Sequence, residues 1–197
     1  MVDVGLPRSG DTVVVSATAG ATGSIAAQIA RALGSRVIGT AGGEGKCRWA
    51  VEVAGMDACV DHTSADVGVE LARLAPDGID VYFDNAGGAL LEAALAHLAP
   101  RARIVVCGGI STGYDGGDPA HGPRNYLRIG LRRARMEGFV CLDHVDRFPE
   151  AFGRLTAWSA SGDIVLEETI AEGLERALSA LAGLFHGRNL GKQLVRV

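Results

Sequence analysis

The chain lacks a long hydrophobic segment. Although 48% of its 197 residues are hydrophobic, no apolar run approaches the ~18 residues of a membrane-spanning helix. Positive charge is not in excess either, because 19 Lys and Arg stand against 23 Asp and Glu, a net charge of -4. A chain without a basic excess has no electrostatic footprint for nucleic acid. The opening Met-Val-Asp-Val does not resemble a signal peptide. These absences predict a cytoplasmic protein that binds neither nucleic acid nor membranes.

Closely spaced cysteines are also missing. The four cysteines, Cys47, Cys59, Cys107 and Cys141, include no C-x-x-C pair. The usual signature of a zinc site is therefore absent, and we predict no metal. Cys59, Cys107 and Cys141 lie in predicted strands, where a buried reduced thiol is the default.

Two common nucleotide-enzyme signatures do not occur. A short-chain dehydrogenase would need Tyr-x-x-x-Lys, but the residues four places after Tyr82, Tyr114 and Tyr126 are not lysines. A P-loop would need Gly-Lys-Ser or Gly-Lys-Thr after its glycines, and no such triplet follows Gly23. The chain must therefore bind any nucleotide in another way.

A strand, a turn of small residues and a helix follow one another between residues 12 and 32. Residues 13–15 are three valines, which favour a strand. After the turn, Ile25, Ile29 and Leu33 recur at helical spacing and are predicted to form one face of the helix. The pattern predicts a β-turn-α unit.

Glycines mark the turn of this unit. Gly20 and Gly23 match the last two positions of the G-x-G-x-x-G fingerprint, whereas Thr18 stands at the first. In that fingerprint a pyrophosphate lies on the helix N-terminus, where free N–H groups and the helix dipole favour an anion. One interpretation is a dinucleotide site; the alternative is that small residues only pack the strand against the helix.

The rest of the chain repeats the alternation of strand and helix. Strands are predicted over residues 36–40, 58–61, 79–84, 102–107 and 135–142, and helices over 44–53, 67–74, 90–98, 126–133 and 147–160. Such alternation is typical of a parallel sheet with helices on both faces. We predict an α/β, Rossmann-type doubly wound fold with six parallel strands in residues 1–162. Residues 163–197 carry a predicted β-α-β segment that does not extend this sheet.

The end of the second strand bears on the choice of cofactor. An NAD site places an acid there for the ribose 2′-hydroxyl, whereas an NADP site removes it and supplies positive charge. Residues 40–43 contain no acid, and Lys46 and Arg48 follow soon after Glu44. NADP(H) is therefore favoured, and the alternative is that Lys46 is an ordinary solvated lysine.

Glycine-rich loops follow the fourth and fifth strands, in residues 85–88 and 107–111. Both should lie at the carboxyl edge of the sheet, where open α/β folds bind ligands. Asn85 could offer a donor and an acceptor to a ribose or a carboxamide. The alternative is that Asn85 only forms an Asx turn.

Six separated motifs resemble the medium-chain dehydrogenase/reductase superfamily, in its zinc-independent branch of NADPH-dependent double-bond reductases, the prostaglandin reductase and alkenal or enone reductase type. They are VVVSATAGATGSIAAQIA, GTAGGEGKCRWAVE, DGIDVYFDNAGG, ARIVVCGGIS, GPRNYLRIGLRRARMEGF and GLFHGRNLGKQLVRV.

The resemblance implies a cofactor site along several loops. The pyrophosphate would lie on the glycine turn, the 2′-phosphate would face Lys46, and the nicotinamide would lie near Asn189. The residues implied for cofactor binding are Ala19, Gly20, Ala21, Thr22, Gly23, Gly42, Lys46, His62, Asn85, Cys107, Gly108, Gly109, Ile110, Ser111, Phe139, Val140 and Asn189.

Two positions depart from the family pattern. His62 stands where the family commonly has Tyr. Tyr114 comes one place later than the tyrosine of the family's Ile-Ser-x-Tyr, which helps to orient or polarise the substrate carbonyl. Tyr114 is our candidate catalytic residue, and the alternative is an aromatic side chain that only packs on the loop's surroundings.

Family members begin with a GroES-like catalytic domain, and this chain starts where that domain would end. Residues 163–197 resemble the segment that returns to complete it. The resemblance implies a truncated, homodimeric NADPH-dependent oxidoreductase that reduces the carbon-carbon double bond of an enone or alkenal. The alternative function is a stand-alone NADPH-binding module without turnover.

Overall fold

The computed structural model describes residues 1–110 and 122–197. The strands of its large sheet are β1 (Thr12–Val15), β2 (Arg36–Ala41), β3 (Ala58–Asp61), β4 (Ile79–Asp84), β5 (Leu98–Val106) and β6 (Arg135–Gly138). The helices around the sheet are α1 (Ala21–Ala32), α2 (Glu44–Glu52), α3 (Val67–Leu74), α4 (Gly88–Ala96), α5 (Leu127–Arg132) and α6 (Phe148–Ser161).

The six strands pair in the order β3-β2-β1-β4-β5-β6, and every pair is parallel. This is the order of a doubly wound dinucleotide-binding fold. The predicted fold class is confirmed. Successive crossovers leave β1 in opposite directions along the sheet, so the loops after β1 and β4 separate and open a crevice at the carboxyl edge.

Strand β1 lies at the centre of the protein because helices cover both faces of the sheet. Val13 and Val15 are fully buried on the side of α1 and α2, and Val14 is fully buried on the side of α3 and α4. A strand buried on both faces reads as a continuous apolar run rather than an alternating one. The three consecutive valines therefore fix β1 as the innermost strand.

Helix α1 packs on the sheet through small residues. Ala27 and Ala30 are fully buried, whereas the predicted face of Ile25, Ile29 and Leu33 is only half-buried. The alanines allow the helix backbone to approach the strands closely. The larger residues lie at the flanks of the contact.

Two predicted boundaries also differ. Strand β5 begins at Leu98, which pairs with Ile79 before a register shift, so this residue belongs to the strand and not to the preceding helix. Strand β6 ends at Gly138 rather than at residue 142, and a 3-10 segment, Cys141–Arg147, follows it. β6 pairs only with β5, and its side chains are largely exposed, so little burial holds it extended beyond Gly138.

The C-terminal residues form a second, two-stranded parallel sheet from β7 (Glu168–Glu172) and β8 (Lys192–Arg196), linked by α7 (Ala177–Phe185). The segment leading into it is tied to α1. The amide of Gln28 donates to the Val165 carbonyl (3.0 Å) and accepts from the Val165 N–H (2.7 Å). Because Gln28 is fully buried, this pair of bonds satisfies both ends of its side chain.

Candidate functional site

The turn between β1 and α1 is closed at short range. Ala17 has a left-handed backbone with φ 50°, and a Cβ on Gly23 would overlap the Ala17 carbonyl oxygen. A glycine at position 23 therefore allows α1 to begin in close contact with the turn. Gly20 is the N-cap of α1, and in the described part of the chain no side chain caps this helix and no acid lies in its first turn. The positive end of the helix dipole therefore points to the carboxyl edge of the sheet.

The C-terminal residues reach the same turn. The Gly191 N–H donates to the Ala19 carbonyl (2.8 Å), and Gly191 forms an isolated parallel bridge with Gly20. The Asn189 amide donates to the Gly191 carbonyl (2.8 Å). The fold thus places Asn189 beside the glycine turn, at the far end of the sequence from it.

A second turn lies where β2 and β3 end. A Cβ on Gly42 would lie 3.3 Å from His62 Nε2, so these two predicted residues are neighbours. Asp61 Oδ1 accepts from the Thr63 hydroxyl (2.7 Å), the Gly43 N–H (2.8 Å) and the Thr63 N–H (3.0 Å). These bonds, the hydroxyl first, hold the pKa of Asp61 well below its usual range. The end of β2 has no acid of its own, but the ionised carboxylate of Asp61, at the end of β3, lies beside it.

Lys46 lies in the first turn of α2, next to this second turn. Its Nζ donates to the Gly187 carbonyl at 2.6 Å, and burial lowers its pKa. Arg48 instead forms an exposed pair with Glu44 at 2.5 Å. Of these two cations of α2, Lys46 is therefore the one that contacts the C-terminal loop, at Gly187.

A buried carboxylate organises the loop after β4, and the sequence patterns did not reveal it. Asp84 is 1% exposed, and its Oδ1 accepts from the Gly87 N–H (2.9 Å), the Ala86 N–H (3.1 Å), the Ser16 hydroxyl (3.1 Å) and the Tyr82 hydroxyl (3.2 Å). Burial, with the Asp84 charge, raises the pKa of Tyr82 well above its usual value. The polar end of an otherwise apolar strand was the only local signal.

Asn85 is oriented by the same cluster. Its backbone N–H donates to the Ser16 hydroxyl (2.8 Å) and its side-chain amide donates to the Ser16 carbonyl (2.7 Å). These bonds join the end of β4 to the end of β1 across the crevice. They differ from the simple Asx turn that was the alternative for Asn85, because the acceptor, Ser16, lies directly after another strand, β1.

The loop after β5 continues along the β4 loop. The N–H groups of Cys107 and Gly108 donate to the Asp84 carbonyl (2.9 and 3.1 Å), and the Ile110 N–H donates to the Asn85 carbonyl (3.2 Å). Three loops of the crevice are therefore joined by backbone hydrogen bonds.

The predicted residues after β6 lie outside the strand. Phe139 packs against the core on the side of α1, whereas Val140 is 57% exposed. Two further predicted residues, Ser111 and Tyr114, fall in 111–121, outside the described residues. The carboxyl edge of the sheet holds Ala19, Gly20, Ala21, Thr22, Gly23, Gly42, Lys46, His62, Asn85, Cys107, Gly108, Gly109 and Ile110.

Neither a metal cluster nor a membrane span is found in the part of the chain that the structure describes. No three His, Cys, Asp or Glu side chains come together there to hold a metal ion. No helix in those same ranges is both long enough and apolar enough to cross a membrane.

Known proteins share this sequence pattern. The profile of the zinc-binding dehydrogenase family matches residues 21–157, more than half of the chain. The chain is 38% identical over 202 residues to the NADPH-dependent curcumin reductase of Escherichia coli (strain K12), covering 100% of this chain and 58% of that protein. It is 40% identical over 192 residues to the NADP(+)-dependent 2-alkenal reductase of Nicotiana tabacum, covering 97% of this chain and 55% of that one.

A solved structure shares the fold. The crystal structure of CurA from Vibrio vulnificus, also determined in complex with NADPH, superposes with a TM-score of 0.93 at 40% identity. The match covers 100% of this chain and 59% of that one. The chain thus spans little more than half the length of these relatives. It belongs to the zinc-binding dehydrogenase family of the medium-chain dehydrogenase/reductase superfamily.

Proposed function

We propose that this chain is the cofactor-binding part of an NADPH-dependent oxidoreductase that reduces the carbon-carbon double bond of α,β-unsaturated carbonyl compounds. The observation that carries the proposal is the crevice at the carboxyl edge. There the N-terminus of α1 with its glycine turn lies beside an acid-free β2 end that is followed by Lys46. The relatives whose names specify NADPH or NADP(+) and an enone or alkenal substrate support the same reaction class.

The residues of the turn between β1 and α1 fit a pyrophosphate. Gly20 and Gly23 keep the approach to α1 free of side chains, and Ala19 and Ala21 between them are small. A helix of 12 residues that begins without a side-chain cap or an acid presents its dipole to an anion. Residues 19–23 would therefore hold the diphosphate, and Asn189 would lie next to the nicotinamide side of the turn.

The second turn, where β2 and β3 end, offers a positive charge to a 2′-phosphate but also holds a carboxylate. Lys46 supplies a positive charge that is partly withdrawn from water, and an ammonium has three N–H donors, so it can bind phosphate while keeping its contact to Gly187. Gly42 and His62 form the wall of this position. The Asp61 carboxylate opposes an added negative charge, although three hydrogen bonds already occupy one of its oxygens.

NADPH, when bound, supplies the hydride that is transferred to the β-carbon of the substrate. The protein supplies placement, and a donor for the oxygen on which enolate charge develops. We assign that donor to Tyr114; packing of its ring on the loop surroundings is the alternative. Asn85 is held by Ser16 at the crevice and would orient the ribose or the carboxamide.

The division of the chain follows from the same proposal. Residues 1–162 are assigned to NADP binding, and residues 163–197 to the completion of a catalytic domain. The C-terminal segment supports this assignment because Leu174 and Leu178 are 69% and 81% exposed, which suits a further packing partner. A homodimer joined through the edge of β6, and a cytoplasmic location, are part of the proposal.

The second candidate function is an NADPH-binding module without turnover, because the described residues that carry the proposal all face the cofactor position. Both functions require the cofactor, and only the first requires a substrate.

Two measurements test these functions. Trp49 is buried and lies in the turn of α2 that follows Lys46, so its fluorescence should report a titration with NADPH or NADH. We expect NADPH to bind at least about tenfold more tightly, the ratio given by one charge-assisted contact. Equal affinities would contradict the cofactor assignment. NADPH oxidation in the presence of a small enone would support the reductase, and binding without oxidation would support the module.

A further inference from the structure

Two cysteines that are well separated in sequence lie in contact. The Cys59 thiol donates to the Cys47 sulfur across 2.9 Å. Cys47 belongs to α2 and Cys59 to β3, and both are half-buried against the core on the α1 side of the sheet. The absence of a C-x-x-C spacing therefore does not keep these thiols apart.

The distance is close to that of a bond. The two sulfurs of a disulfide are about 2.05 Å apart, so these atoms need to approach by only about 0.9 Å. Cys59 is fixed because it pairs with Gly39 in the sheet. Cys47 is fixed because α2 begins directly after β2 and packs on β3. A disulfide therefore requires only a short further approach of the two sulfurs.

The surroundings distinguish the two thiols. Burial raises the pKa of both, and the negative charge of Asp61 adds to the effect. The hydrogen bond that Cys59 donates favours the thiolate of Cys47 and disfavours that of Cys59. Because the thiolate is the reactive form, Cys47 is the one to attack an oxidant and Cys59 the one to resolve the product.

We propose that Cys47 and Cys59 are a redox-active dithiol that a hydroperoxide converts into an intramolecular disulfide. The Cys47 thiolate attacks the peroxide, the O–O bond breaks, and the products are a sulfenic acid and an alcohol or, from hydrogen peroxide, water. Cys59 then attacks that sulfur, the S–O bond breaks, and water leaves. Two thiols lose two electrons and two protons in total, and the peroxide is reduced.

The position of the pair gives the disulfide a structural consequence. Cys47 follows Lys46 in the first turns of α2, and Cys59 lies two residues before Asp61, which binds the Gly43 N–H. The bond would cross-link the two elements that carry the charged groups of the second turn. The inference rests on the thiol pair alone and does not depend on the proposed function.

The test uses the full chain treated with hydrogen peroxide. We expect the intact mass to fall by two hydrogen atoms and the number of alkylatable thiols in the unfolded protein to fall from four to two. Peptide mapping without reductant should join the peptide that contains Cys47 to the one that contains Cys59. Dithiothreitol should restore all four thiols.

Substitutions provide the controls. Cys141 is exposed, so Cys141→Ser should leave the mass loss unchanged. Cys47→Ser should abolish it. The peptide map of the unsubstituted chain decides the question even if a variant does not fold. Sulfinic acid on Cys47, or covalent dimers through Cys141 with Cys47 and Cys59 still alkylatable, would overturn the proposal.

Discussion

Replacement of Asp84 by alanine should destabilise the protein severely. This carboxylate is 1% exposed and accepts hydrogen bonds from β4, from the turn after β1 and from the loop after β4. Without it, two of its four donors, the Gly87 N–H and the Tyr82 hydroxyl, lose the acceptor that they share, whereas the Ser16 hydroxyl still has the Phe83 carbonyl at 3.5 Å. Both donors are buried, so water cannot readily replace the carboxylate.

The magnitude follows from the groups that are left. A buried donor without an acceptor costs about 1 to 3 kcal/mol. Two such donors lower the stability, and removal of the buried carboxylate returns part of that loss because its desolvation no longer has to be offset. We therefore expect Asp84→Ala to lower the free energy of unfolding by about 2 to 5 kcal/mol. Asp84→Asn keeps an oxygen acceptor and should cost about 1 to 2 kcal/mol, the charge-assisted part of the bonds. Tyr82→Phe removes one donor and should cost about 0.5 to 1.5 kcal/mol.

Urea unfolding followed by tryptophan fluorescence measures these differences. The order Asp84→Ala, then Asp84→Asn, then Tyr82→Phe is the prediction, from the largest loss to the smallest. If Asp84→Ala costs no more than Tyr82→Phe, the carboxylate does not organise the loop as argued. An Asp84→Asn variant as unstable as Asp84→Ala would show that charge, and not the acceptor, is what the cluster requires.

Three further predictions concern single residues. Lys46→Met should weaken NADPH binding by about 10- to 100-fold and leave NADH binding within about twofold, because the lost contact is charge-assisted. Fluorescence titration measures both affinities. Arg48→Met is the control, since Glu44 already pairs that cation. Asp61→Asn keeps an acceptor for its donors and removes a negative charge beside the phosphate position. It should therefore tighten NADPH binding by about 3- to 10-fold at low salt and by less at high salt. An unchanged affinity would exclude repulsion between the Asp61 carboxylate and the 2′-phosphate. Burial raises the pKa of Tyr82 in the folded state above 10.0. As pH rises beyond about 10 the unfolded chain loses this proton first, so the free energy of unfolding should fall. In urea melts the free energy of unfolding of Tyr82→Phe should fall less steeply over the same pH range.

The positions of the elements could be predicted from the sequence because local signals specify them. The valines of β1, the glycines that follow several of the strands and the helical spacing between them correspond to the observed order of strand and helix. The glycine turn was identified for the same reason, since Gly23 is required by its own neighbour Ala17. The exact ends of elements were less predictable, as for the start of β5 and the end of β6.

The charged and polar parts of the site were decided by tertiary structure. In the sequence Asp84 is one more polar residue at the end of a strand, and its placement beside Ser16 makes it a shared hydrogen-bond acceptor. Asp61 belongs to β3, and the fold brings it to the end of β2, where it binds the Gly43 N–H.

Local patterns were enough to predict the fold class and the order of its elements, because periodicity and turn chemistry act over a few residues. The contacts between distant groups, Lys46 with Gly187 and Cys47 with Cys59, became visible in the folded chain alone. Such contacts depend on strand register and on the crossovers that bring separate segments to one edge. No local pattern contains that information.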